Sequence, residues 1–327
     1  MRIQRYNVAQ AFNISDAPAS LEVLGYFDEN HPLIPKRDDK YVFEWATLRD
    51  LLAFLTDPSG DAFYLCGPTG CGKTSIVTQA ANRLRWPTTS MTCHGRIQVM
   101  DMIGRMVLVG NDQGQAVMKY VKGPLAEALE KGYLFILNEM DLMDPSEVAG
   151  LNDILEGASL TIPETGEVIK PHPEFRFVAT ANSNGAGDTT GGYQGVLQQN
   201  IAAMDRFRMT QVDYLVPEVE KDILHRAVPQ MAQAGPLAEK MIAVANRIRK
   251  AFSDTEGAVD THLSITMSTR TLIRWARLTQ VYQGAPNALH YALERALLFR
   301  SEPAQAEAIL RWAQDEFGQN WNSEGAA

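Results

Sequence analysis

The most constraining stretch of the chain is Gly67-Pro68-Thr69-Gly70-Cys71-Gly72-Lys73-Thr74. It is a complete GxxxxGK[ST] loop. The short apolar run Ala62-Phe63-Tyr64-Leu65-Cys66 precedes it, and a helical pattern over Ser75 to Leu84 follows. Strand, glycine-rich turn and helix in that order make a phosphate cradle, because glycines let backbone N–H groups converge on anionic oxygens and the helix N-terminus adds a favourable field. In such a loop Lys73 reaches the β- and γ-phosphates and the Thr74 hydroxyl ligates Mg²⁺. The expected nucleotide-binding residues are Gly67, Pro68, Thr69, Gly70, Cys71, Gly72, Lys73, Thr74 and Ser75. The competing reading is a glycine-rich turn with no ligand, and the match in its strand-and-helix context argues against it.

Similar short runs of strand length recur at Thr88 to Thr92, Tyr133 to Leu137, Phe175 to Thr180 and Met209 to Val212. Helical patterns lie between them, as at Tyr41 to Leu55 and Pro124 to Lys131. The alternation predicts an α/β core, a parallel sheet with helices on both faces. From Pro217 the strand signal fades, and Met231 to Phe252, Ser268 to Tyr282 and Ala288 to Phe299 read as helices of a small all-helical domain. The expected organisation is an irregular N-terminal extension over 1–40, the core over 41–216, the helical domain over 217–300, and a C-terminal helix and tail over 301–327, frayed from Asn320. With 327 residues, about two domains is the ordinary expectation.

Composition excludes several classes. Apolar residues make up 45% and charged residues 21%, as in folded soluble proteins. Acidic residues outnumber basic ones, giving a net charge of −9, so nucleic acid is a disfavoured partner. No apolar run reaches the ~18 residues of a membrane span. The start, MRIQRYNVAQ, lacks a signal-like apolar core, and three cysteines without CxxC spacing fit a reducing compartment. Both features point to the cytoplasm. Cys71 sits where a helix N-terminus lowers a thiol pKa; a redox role is weighed against that of a small loop filler, and the filler is preferred. The six scattered histidines show no metal-ligand spacing.

Two further strand ends carry chemistry. Tyr133-Leu134-Phe135-Ile136-Leu137 runs into Asn138-Glu139-Met140-Asp141. Glu139 falls where a base polarises the attacking water. Asn138 stands where an aspartate is usual; its amide oxygen can accept from metal-bound water but brings no charge to Mg²⁺. Asp141 is a longer-range source of that charge, and slow hydrolysis is expected. Phe175-Arg176-Phe177-Val178-Ala179-Thr180-Ala181-Asn182 is a third strand whose polar end, Asn182, belongs beside the γ-phosphate if the sheet is doubly wound.

The order of these features resembles the AAA+ ATPases, and within them the MoxR group and the CobS-type ATPase subunits of aerobic cobalt chelatase. Further residues carry the likeness: Met204-Asp205-Arg206-Phe207, Met267-Ser268-Thr269-Arg270, Arg83-Leu84-Arg85-Trp86-Pro87, Asp101-Met102-Ile103-Gly104, the stretch Val168 to Arg176, and Gly187-Asp188-Thr189-Thr190-Gly191. It covers residues 40 to 300. The resemblance implies ATP and Mg²⁺ as ligands, the helical domain as a lid, Asn182 as the sensor-1 residue, Arg270 as the sensor-2 arginine and Arg206 as an arginine finger completing a neighbour's site. It also implies hairpin insertions at Val107 to Val121 and Leu160 to Lys170. A homo-oligomeric ring, a hexamer, is expected, remodelling or activating a partner with a von Willebrand A-type domain. A motor subunit of a cobalt or magnesium chelatase and a nucleotide-dependent binding switch with little turnover are the alternatives.

Lys73 is the point charge set against the phosphates. Lys73→Ala is expected to lose several kcal/mol of ATP affinity by calorimetry; wild-type affinity would overturn the loop assignment.

Overall fold

The structure, a computed structural model, describes residues 2–110, 115–188, 193–253 and 263–321. The N-terminal stretch is not irregular, as its sequence had suggested. β1 (Ile3–Asn7) pairs antiparallel with β2 (Glu22–Tyr26), and a short helix α1 (Val8–Phe12) lies between them. Asn7 starts α1 by accepting from the Gln10 N–H, and Val8 and Phe12 are buried against the main core. Polar residues (Gln4, Arg5, Asn7, Glu22) interrupt the two strands, so no apolar run announces them. Tyr26 fastens this sheet to the body: its hydroxyl donates to the Gly132 carbonyl at 2.9 Å, and its ring meets Trp86 edge-on at 5.5 Å.

α2 (Trp45–Thr56) begins where the Glu44 carboxylate accepts from the N–H groups of Ala46 and Thr47. The core then alternates: β3 (Ala62–Cys66), α3 (Lys73–Arg83), β4 (Thr88–Thr92), α4 (Val99–Ile103), the β5 (Gly104–Gly110) and β6 (Ala116–Lys122) hairpin, α5 (Pro124–Lys131) and β7 (Leu134–Asn138). It continues through α6 (Pro145–Ala149), α7 (Asn152–Leu155), the β8 (Leu160–Thr161) and β9 (Val168–Ile169) hairpin, β10 (Arg176–Ala181), α8 (Ile201–Met204) and β11 (Phe207–Gln211). Five of these strands form one parallel sheet in the order β11-β3-β10-β7-β4. Successive residues of a strand face opposite sides. Phe135 and Leu137 therefore join one apolar cluster with Leu125, while Leu134 and Ile136 join the other with Leu48 and Phe54. Both faces are covered by helices, as the runs of uninterrupted apolar residues require. The two expected hairpin insertions are present; the first one's turn, Asn111 to Gly114, lies outside the described residues.

The helical lid comprises α9 (Pro217–Ala227), α10 (Leu237–Ser253), α11 (Thr269–Val281), α12 (Ala288–Ala296) and α13 (Pro303–Phe317). It has its own apolar cluster, built around Trp275, Met241, Leu293 and Ile309. Two expected helices are shorter than their patterns. Met231 belongs to a 3₁₀ turn, and α10 begins only after Gly235 (φ +59°) and Pro236, while α12 gives way to a 3₁₀ turn at Leu298. Among the described residues no helix is long and apolar enough to cross a membrane.

Trp86 is 1% exposed, donates Nε1–H to the Gly132 carbonyl at 3.2 Å and lies under the Arg176 guanidinium. Trp86→Ala should destabilise the chain by about 3–5 kcal/mol, read as a lowered thermal midpoint. A shift worth under ~1 kcal/mol would show that the N-terminal sheet is not tied to the body through this ring.

Candidate nucleotide site

Parallel register brings the carboxyl ends of β3, β10 and β7 side by side, with Cys66 beside Ala181 and Ala179 beside Leu137. The loop after β3 turns on glycines that no other residue could replace. Gly67 has φ +153°, and a Cβ there would stand 1.9 Å from the Val212 carbonyl oxygen. Gly72 has φ +106° and ends the turn as the residue before α3, with nothing closer to its missing side chain than the Tyr41 hydroxyl at 3.9 Å. A concave loop of this kind, open where a side chain would have filled it, fits a phosphate chain.

Lys73, the first residue of α3, is 9% exposed. Its ammonium donates to the carbonyls of Gly67 (2.6 Å) and Pro68 (2.9 Å) and to Asn182 Oδ1 (3.1 Å). Burial pulls its pKa below the usual lysine value, against the opposing influence of Cys71, Asp141, Cys66 and Glu139. Cys71 is a buried member of the loop; burial pushes its thiol pKa up, which suits a filler better than a reactive thiolate. Thr69, Gly70, Thr74 and Ser75 line the open cleft.

The Thr74 hydroxyl donates to Asn138 Oδ1 at 2.7 Å, so the two residues expected at the metal are brought together. Asn138 Oδ1 also accepts from Thr180 Oγ1 at 3.3 Å. An all-oxygen donor set of hydroxyl and amide carbonyl suits a hard cation such as Mg²⁺. Glu139 lines the same cleft and is exposed, held in the left-handed region at φ 55°, ψ 43°. Such a conformation is costly for a non-glycine residue and turns the carboxylate out of the strand direction. Asp141 also has a structural part in the site. It is fully buried, and its Oδ2 accepts from the N–H groups of Asn182 (2.8 Å) and Ser183 (3.0 Å). Burial raises its pKa, while those two N–H groups act the other way. Asp141 thus braces the turn that presents Asn182 to Lys73.

Arg270, second residue of α11, reaches the phosphate cleft from the lid side. Arg206 does not. It precedes β11, whose Phe207 pairs with Ala62 at the amino end of β3, whereas Gln211 pairs with Cys66 next to the loop. Its guanidinium bonds the Ala202 carbonyl and the Glu156 carboxylate. Arg206 is therefore one strand length from its own chain's cradle, on an edge strand.

Sequence reasoning missed part of the site. A cavity of about 310 Å³ lies beside the loop. Asp38, Tyr41 and Val42 line it from the N-terminal side, Cys71 and Gly72 from the loop, and Ile223 and Ile273 from the lid. The strap is fixed because the Asp38 N–H donates to Gln79 Oε1 and the Arg83 guanidinium donates to the Asp38 carbonyl. Thr180 was also missed, although its place two residues before Asn182 marks it as facing the same cleft.

A family model described as AAA domain (dynein-related subfamily) matches residues 62–192, and one described as CbbQ/NirQ/NorQ C-terminal matches residues 220–315. The aerobic cobaltochelatase subunit CobS of Sinorhizobium sp. is 31% identical over 296 residues, which cover 89% of this chain and 85% of CobS. Uncharacterized proteins of Staphylococcus haemolyticus and Staphylococcus epidermidis are 32% and 30% identical over 161 residues, 49% of this chain and 58% of each of those proteins. The chain belongs to the AAA ATPases of the MoxR/CobS type, enzymes that hydrolyse ATP.

Proposed function

We propose that the chain is the motor of a closed homo-oligomeric ring, a hexamer, that uses ATP hydrolysis to remodel or activate a partner protein in the cytoplasm. The observation carrying this reading is the convergence of Lys73, Asn182, Thr74, Asn138 and Glu139 on one cleft, with Arg206 at the opposite end of the edge strand. The loop Gly67 to Ser75 holds the phosphates, and the cavity lined by Tyr41, Val42 and Ile273 takes the base. Thr74 and Asn138 would hold Mg²⁺, which would supply positive charge against the phosphates.

Lys73 exchanges its contacts with loop carbonyls for the β- and γ-phosphates. Glu139 orients water and takes its proton, Asn182 fixes the water's line of approach, and Arg270 meets the developing charge from the lid. Arg206 cannot reach its own cradle, so it serves a neighbour's, and each site is then shared by two subunits. By resemblance to the MoxR group, the partner carries a von Willebrand A-type domain.

A second reading, a motor subunit of a cobalt or magnesium chelatase, is favoured by the 31% identity to CobS across most of both chains. Fold and motor do not choose between these cargoes. A third, a binding switch with little turnover, follows from the neutral Asn138.

Glu139→Gln should bind ATP with near wild-type affinity and release phosphate at least ~10²-fold more slowly, the usual contribution of a positioned base. Asn138→Asp adds a charge at the metal and should hold or raise the rate. Loss of turnover in Asn138→Asp together with full turnover in Glu139→Gln would overturn the assignment of this strand end.

Arg206→Ala should bind ATP normally yet hydrolyse about 10³-fold more slowly. Mixed with Glu139→Gln, it should regain part of the activity, since some interfaces then pair an intact Glu139 with a neighbour's intact Arg206. Full turnover by a species that light scattering shows to be monomeric with ATP would rule out the shared site.

A further inference from the structure

Thr69, at the exposed tip of the phosphate loop, has its peptide held from both sides. Its N–H donates to the Tyr193 hydroxyl at 3.1 Å, and its carbonyl accepts from the Tyr214 hydroxyl at 3.0 Å. Tyr193 stands ahead of α8, with its ring edge-on to Phe252 of α10 at 5.6 Å. Tyr214 lies in the connection between β11 and α9. Burial pushes its phenol up to about 12, so the hydroxyl stays a donor through the neutral range.

The other face of Tyr214 meets the lid. The Arg249 guanidinium lies 4.1 Å from its ring centroid, a cation–π distance. Arg249 is also one half of a buried ion pair: its two terminal nitrogens donate to the Glu220 carboxylate at 2.7 and 2.8 Å. Their side chains are only 7% and 0% exposed. A pair this dry holds only if its remaining donors and acceptors are satisfied. Asn246 Oδ1 of α10 accepts from Arg249 at 2.8 Å, and the other partners are at the start of α11: Arg249 Nε–H donates to the Met267 carbonyl at 2.7 Å, and the Thr269 hydroxyl donates to Glu220 Oε1 at 2.6 Å. Between them Ser268 caps α11 and presses on the loop, so that a Cβ on Gly70 would stand 2.4 Å from its own Cβ. The next residue after Thr269 is Arg270.

We propose that Tyr214 is a positioning residue for Arg270: it ties the Thr69 peptide of the phosphate loop to the Arg249–Glu220 pair, and that pair sets where α11 begins and hence where Arg270 stands. The inference rests on the reading of Arg270 as a phosphate-facing arginine. It makes the lid's placement depend on the shape of the loop tip. A shift of Thr69 is passed to α11 through one hydroxyl, which also meets Thr266 at 3.4 Å, and one stacked guanidinium, without rearranging the lid core. Stability of the lid alone would not call for a tyrosine hydroxyl on an exposed loop carbonyl.

The test is a double-mutant cycle on the full chain. Tyr214→Phe keeps the ring under Arg249 and removes the bond to Thr69 together with the longer contact to the Thr266 hydroxyl at 3.4 Å. It is expected to lower kcat for phosphate release about five-fold, the rate equivalent of one ordinary hydrogen bond, with an unchanged thermal midpoint. In an Arg270→Ala background the same substitution should change kcat less than about two-fold, because the residue it positions is gone. Equal losses in both backgrounds, or no loss in the parent, would overturn the proposal. If Arg270→Ala alone leaves kcat at the parent value, the reading of Arg270 falls and the proposal falls with it. A loss for Arg270→Ala with none for Tyr214→Phe removes only the link through Tyr214.

Discussion

Lys73 carries its charge almost out of contact with water, and a buried ammonium is tolerated only where oxygen atoms take the place of its hydration shell. Three do so: two carbonyls of the loop after β3 and the amide oxygen at the end of β10. That requirement draws two adjacent strand ends to one point. The loop carbonyls can turn inward only because Gly67 adopts a conformation closed to side chains, and Asn182 is in reach only because Asp141 grips its N–H from below. The architecture of the sheet, the glycine pattern and the buried carboxylate are all conditions on the same ammonium. Phosphate oxygens are a better shell for it than carbonyls, since they bring charge as well as lone pairs.

What was legible in the sequence was whatever is local. The loop, its strand and its helix lie within about twenty consecutive residues, and α5 begins and ends where its proline and glycine place it, at Pro124 and before Gly132. The three inner strands of the sheet, β3, β7 and β10, show as apolar runs because both of their faces are covered. The N-terminal sheet was illegible for the opposite reason: its five-residue strands are half polar, and they exist by virtue of Val8, Tyr26 and Trp86 meeting across a long separation. The same holds at the site. Lys73, Thr74 and Asn182 were named from their positions in motifs. Tyr41, Tyr193 and Tyr214 reach the cradle only through tertiary contact, and a tyrosine far from a motif carries no local mark of it.

Asn138 is the point at which the chain departs from the expected charge pattern, and the surroundings are consistent with a neutral group. Its amide oxygen accepts from the hydroxyls of Thr74 and Thr180. Asp141 is buried, holding the neighbouring turn. The exposed negative charge lining the cleft is Glu139, whose left-handed backbone swings it outward.

The strand order has a consequence for how the chain acquires its shape. β3 is flanked by β10 and β11, which follow it by more than a hundred residues, and among the described residues no earlier strand pairs with it. A ribosome delivering the chain from its N-terminus therefore exposes Ala62 to Cys66 with both hydrogen-bonding edges open until Arg176 to Gln211 have emerged. The lid differs, since its helices follow one another and α11 packs against α12, its neighbour in sequence. Long-range closure of the sheet, with its larger entropic cost, is the slow event, and helical docking is the quick one. The phosphate loop is strung directly between β3 and α3, and it takes its working form only when this late closure places Asn182 beside Lys73.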